Sequence, residues 1–150
     1  MSAYLSNELA GTTTGLTTAA ATGYKPRATV YGARVKRFRA TITYASQTTS
    51  DTIAVANVPA GLTFAYGVLT ADTSSGSATL AIGTSASTAK YKAAAAFTTT
   101  DTPTLFGKTA VVGAVDPALS AEEAIIITIG TANAPASGTL VVDLYFSGAN

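Results

Sequence analysis

Few side chains in this 150-residue chain could do chemistry, and their spacing is against most of it. The one pair of adjacent acids is Glu122 and Glu123. Two carboxylates working on a single bond must face it from both sides across ~5–9.5 Å, whereas neighbouring residues entering a strand point to opposite faces. The pair reads more simply as a charged guard at the entrance to the very apolar run AIIITIG, 124–130. Ser120 followed by Glu123 has the spacing of a helix capping box, but the β-branched residues after it favour a strand. Lys90 and Lys92 flank Tyr91 and read as surface residues. There is no glycine-rich phosphate loop with its Lys-Ser/Thr and no calcium loop of closely spaced oxygen ligands.

The residue types that are missing narrow the choice further. The chain has no Cys, no His and no Trp. Thiolate nucleophiles, disulfides and thiolate zinc sites are excluded, as are the commonest general base and the usual Ser/His/Asp triad. Catalytic, cofactor-binding and metal-binding residues are therefore all expected to be absent, and the chain is expected not to be an enzyme. Without Trp, any contact anchors must be Tyr and Phe.

The remaining concentration of charge is VYGARVKRFRATITYAS, 30–46, which holds Arg34, Lys36, Arg37 and Arg39, four of the nine basic residues. Residues 1–39 carry six basic groups against one acid, and residues 40–150 carry three against seven, so the two parts bear +5 and −4. Interleaved Tyr24, Tyr31 and Phe38 are what a nucleic-acid groove would use. The whole-chain charge of +1 and pI of 7.9 are well short of a basic domain, which ranks nucleic acid last. Arg37 and Arg39 share a strand face with Thr41 and Thr43, while Arg34 and Lys36 have the parity of Phe38. The arginine row suits a charged contact surface meeting acids such as Asp116, Glu122 and Glu123 of a neighbouring copy or a larger partner, which would set register more than affinity. It suits equally a solvated face that discourages edge-to-edge pairing.

The elements carrying these groups follow from pattern. The length fits one domain able to bury ~70% of the surface its unfolded form exposes. Thirty-one Ala and 27 Thr, only 11% charged residues and a mean hydropathy of +0.33 call for a Thr/Ser/Ala surface, which suits packing against other subunits. Residues 1–28, with Gly11, Gly15 and Gly23, are expected to form an extended N-terminal arm. Its anchors for a partner would be Tyr4, Leu5, Leu9, Leu16 and Tyr24. The N-terminus has neither the basic nor the apolar region of a secretory signal, and no apolar window approaches the ~18 residues of a membrane span.

Residues 29–150 are expected to form a β-sandwich domain of seven or eight strands at regular spacing. Phe38, Ala40, Ile42 and Tyr44 alternate with polar residues; Leu62, Phe64, Tyr66 and Val68 would share a second apolar face, and Leu80 with Ile82 a third. In TLVVDLYF, Leu140, Val142, Leu144 and Phe146 form the core face, leaving Val141, Asp143 and Tyr145 toward a partner or a second layer. One short helix is expected within 86–103, where Ser87 or Thr88 can cap and Ala93 to Ala96 favour helix. The fold class is all-β, an antiparallel sandwich of jelly-roll type with that short helix and the arm.

The phrases PAGLTF, ATLAIGTS and PASGTLVVDLYF, within roughly 37–147, resemble small structural proteins of tailed bacteriophages found as head decoration or cement proteins. The resemblance implies a virion protein, made in the host cytoplasm and placed on the capsid surface. It would bind the major capsid protein and reinforce the joints between coat subunits, as a homo-oligomer, dimer or trimer, with no nucleic-acid or membrane partner. The alternative is a tail, head-fibre or receptor- or glycan-binding module.

Overall fold

The computed structural model describes residues 34–107 and 117–148. Eight strands occur in the order β1 (Arg34–Thr43), β2 (Thr52–Val58), β3 (Thr63–Ala71), β4 (Thr79–Gly83), β5 (Lys92–Ala96), β6 (Thr104–Phe106), β7 (Glu123–Gly130) and β8 (Thr139–Gly148). They form two four-stranded antiparallel sheets, β1-β8-β3-β6 and β2-β7-β4-β5, and no helix occurs among the described residues. The fold is an all-β sandwich. The expected arm over 1–28, with Tyr4, Leu5, Leu9, Leu16 and Tyr24, lies outside the described residues, as do the run TAVVGAV, 109–115, and Asp116.

Each sheet turns one face inward, and the core is built where strict alternation is strongest. From β8 come Leu140, Val142, Leu144 and Phe146, all fully buried, and from β7 Ile125, Ile127 and Ile129. Ile42, Leu69, Val58, Leu80 and Ile82 complete one continuous apolar cluster spanning both sheets. Period-2 alternation produces this directly, since one residue in two of each strand faces the other sheet. An aromatic group closes one region of the cluster. Phe146 meets Phe38 and Phe64 edge-on at centroid distances of 5.7 and 5.3 Å, and Phe64 lies 4.6 Å from Tyr91.

Two expectations are corrected. The helix within 86–103 is not formed; Lys92–Ala96 is strand β5, hydrogen-bonded to the edge of β4. Four alanines are too few to overcome the unfavourable nucleation of a helix. Tyr91 and Phe97, both buried, would stand about 120° apart around a helix, so no single face could bury both, whereas extended chain seats both in the core. The second correction concerns Tyr66 and Val68. In the pairing with β8, Phe64 is opposite Phe146 but Tyr66 is opposite Tyr145, so Ala65 is an extra residue. This β-bulge reverses the parity. Phe64 faces the core, Tyr66 and Val68 face outward, and Gly67, Leu69 and Ala71 take the inward positions.

Candidate interaction surface

The basic segment becomes strand β1, whose ten residues pair along their whole length with β8. Alternation splits it. Lys36 lies opposite Phe146 and is half-buried at the end of the inward row, with Arg34 beyond it, whereas Arg37 and Arg39 project from the outward face. Opposite Arg39 stands Asp143, an acid in the middle of an apolar strand and only 7% exposed. The Arg39 guanidinium donates two parallel hydrogen bonds to it, Nε to Oδ1 at 2.7 Å and Nη2 to Oδ2 at 2.6 Å, the bidentate geometry that makes such pairs strong. Arg37 approaches the same carboxylate at 3.9 Å. The acid that meets the arginine row therefore belongs to the neighbouring strand of the same chain.

This geometry sets the charge of Asp143. The hydrogen bonds from Arg39 hold its carboxyl below the usual carboxylate range, against the opposing effect of burial. A depressed carboxylate contributes stability above its unfolded pKa of about 3.9, and that contribution is lost as the pH falls through the lower folded value. Asp143→Asn is accordingly expected to unfold more easily than the unmodified chain at neutral pH, with the gap closing below about pH 4. Urea unfolding at a series of pH values checks this; a gap that stays constant into acid would show that the charge of Asp143 is not what the pair contributes.

The outward face continues across the sheet. Asp143 is opposite Val68, and Val68 is opposite Leu105 of β6, so Arg39, Asp143, Val68 and Leu105 form one cross-strand row. Beside it Arg37, Tyr145 and Tyr66 form a second, in which the two tyrosine rings stack with centroids 4.5 Å apart and planes 20° from parallel. The large hydrophobic residues that stand exposed among the described residues are Val35, Tyr66 and Leu105, and register puts all three on this face. Sequence reasoning placed Arg37 and Arg39, and Val141, Asp143 and Tyr145 of β8, on the outward side of their strands. It missed Tyr66 and Val68 because of the bulge, and Leu105 because a three-residue strand has too little pattern to assign a side.

A second polar centre is built differently. Glu123, at the start of β7, accepts a hydrogen bond from the Tyr91 hydroxyl on one oxygen and an ion-pair contact from Lys90 on the other. Burial, and then the hydrogen bond to Glu123, push the Tyr91 hydroxyl pKa well up, so it remains a neutral donor. The adjoining cleft, about 250 Å³, is lined by Phe64, Tyr91, Leu119, Glu122 and Glu123 among others. With both oxygens of Glu123 engaged, the arrangement ties the connection before β5 to β7. Among the described residues no three potential ligands gather as a metal site.

No protein-family model and no curated protein matches the sequence. The fold is similar to that of a chain in the capsid asymmetric unit of cyanophage Pam1, with a TM-score of 0.63 and 19% identity over 91% of this chain and 97% of that one. It is also similar to a chain in the capsid of Ralstonia phage GP4, with a TM-score of 0.56 and 13% identity over 79% of this chain and 85% of that one.

Proposed function

We propose that this chain is a structural protein of a phage virion that binds the outer surface of the capsid and stabilises contacts between major coat protein subunits, without enzymatic activity. The observation that carries the reading is the extent of the likeness to the Pam1 capsid chain, which covers 91% of this chain and 97% of that one at a TM-score of 0.63. The strand order supports the jelly-roll form of that sandwich, because the chain passes to the other sheet at every connection except β4 to β5. A rigid two-sheet body with little charge is suited to bridging joints, where added contact area raises the barrier to separating subunits. The protein acts as a homo-oligomer, dimer or trimer, on the virion surface.

The test is cosedimentation of the purified full-length protein with DNA-filled capsids that lack it, at low and high salt. Saturation at a fixed ratio to coat protein is the expected result. Failure to bind would transfer the protein to the second reading, a tail, fibre or glycan-binding module. That reading is favoured by the Tyr66–Tyr145 stack, since partly exposed aromatic faces are suited to the apolar face of a sugar ring.

A further inference from the structure

We propose that the outward face of sheet β1-β8-β3-β6 is the docking surface of this protein, and that its partner is a protein surface presenting carboxylates flanked by apolar groups. Identifying that partner with the coat rests on the capsid reading above; the location and chemistry of the face do not.

Three independent properties converge there. Composition comes first: the face collects Arg37, Arg39, Tyr66, Tyr145, Val68 and Leu105, the Tyr/Arg mixture found at the energetic centres of interfaces. Leu105 is 71% exposed and Tyr66 40%, an exposure of apolar groups that the otherwise well-segregated alternation of these strands avoids. Preorganisation comes second. Each side chain stands on a paired strand, the tyrosines are held by their stack and Arg39 by its bidentate bond to Asp143, so little side-chain entropy remains to be lost on docking.

Charge is the third property, and it selects the occupant. The carboxylate on the face, Asp143, is buried beneath Arg39 and already engaged, while Arg37 and Arg39 are each about half exposed. Among the described residues Arg37 has only a 3.9 Å ion-pair contact, which leaves its guanidinium donors for a partner. A second copy placed on this face about a two-fold axis would set Arg37 and Arg39 against the same arginines or against Leu105 on the opposite edge strand, according to the direction of the axis, and in neither case against a free acid among the described residues of the face. An acidic surface of a different protein is complementary instead, with its apolar groups seated on Tyr66 and Leu105. Homo-oligomer contacts are then made elsewhere on the molecule.

The experiment uses full-length Leu105→Glu, Arg37→Gln and, as a control on the other sheet, Ala95→Glu, each checked for an unchanged melting temperature. Binding to capsids lacking the protein is measured across a salt series. Leu105→Glu is expected to bind at least ~30-fold more weakly, because it removes an anchor and opposes the partner's acids. Arg37→Gln should weaken binding at low salt and flatten its salt dependence, and Ala95→Glu should bind normally. Normal binding by both Leu105→Glu and Arg37→Gln would overturn this assignment while leaving the capsid reading intact. Failure of the unmodified protein itself would overturn the capsid reading, and the coat as partner with it. Dissociation of an oligomer by Leu105→Glu would assign the face to self-association and overturn the proposal.

Discussion

Phe146→Ala is expected to lower stability by about 3–5 kcal/mol, the range for removing a fully buried aromatic side chain. Phe146 is the hub at which the two sheets meet. Its ring lies edge-on to Phe38 of β1 and Phe64 of β3 and 6.1 Å from Tyr91, which leads into β5 of the opposite sheet. Truncation removes the transfer free energy of the ring and also leaves a cavity. Neighbours anchored on two strands and on the connection into a third cannot collapse into that space together. For a domain of this length, about 2–4 °C of melting temperature per kcal/mol gives a fall of roughly 6–20 °C. Calorimetry reads it directly. A loss below about 1 kcal/mol would mean that the aromatic cluster relaxes freely and is not the joint between the sheets.

Gly83→Ala is expected to cost about 3 kcal/mol, the upper part of the range for overpacking, although it adds a single methyl group. A Cβ at Gly83 would lie 2.1 Å from the Ser87 carbonyl oxygen and 2.6 Å from the Thr88 carbonyl carbon. These are backbone atoms, so no rotamer change relieves the clash. The Ser87 carbonyl is also the acceptor that organises the turn, taking hydrogen bonds from the amides of Thr84 and Lys90. Displacing it loosens the support of Lys90 and Tyr91 and so their contacts with Glu123 and Phe64. The chain has no Trp, so near-ultraviolet circular dichroism follows its tyrosines and should show loss of a fixed environment along with the fall in melting temperature. Gly107→Ala, where an added Cβ meets nothing, should leave both unchanged and is the matched control.

Both substitutions act on the frame that aims the outward face, which is why local pattern alone could not locate that face. Asp143 illustrates what was not legible. The sequence offered Asp116, Glu122 and Glu123 of another molecule as acids for the arginine row, whereas Arg39 pairs with Asp143 of its own chain, a pairing that requires β1 to lie beside β8 in one particular register. Arg39 and Asp143 stand 104 positions apart in the sequence, and no local pattern signals that adjacency.

The sequence by itself determined the all-β class, the strands carrying strict alternation, the side of β8 that is core, and the division of Arg34, Lys36, Arg37 and Arg39 between two faces. Those properties depend on period-2 geometry, which is local. Tertiary structure alone decided the other outcomes. Ala93 to Ala96 became a strand because an open edge of β4 and two core seats for Tyr91 and Phe97 outweighed a weak helix propensity. Tyr66 and Val68 turned outward because one extra residue, Ala65, was accommodated against β8, and a bulge is a property of a strand pair and not of either strand. The face joining Arg37, Tyr145, Tyr66 and Leu105 exists because four strands far apart in sequence were brought side by side, an outcome governed by how the sheets close over one core.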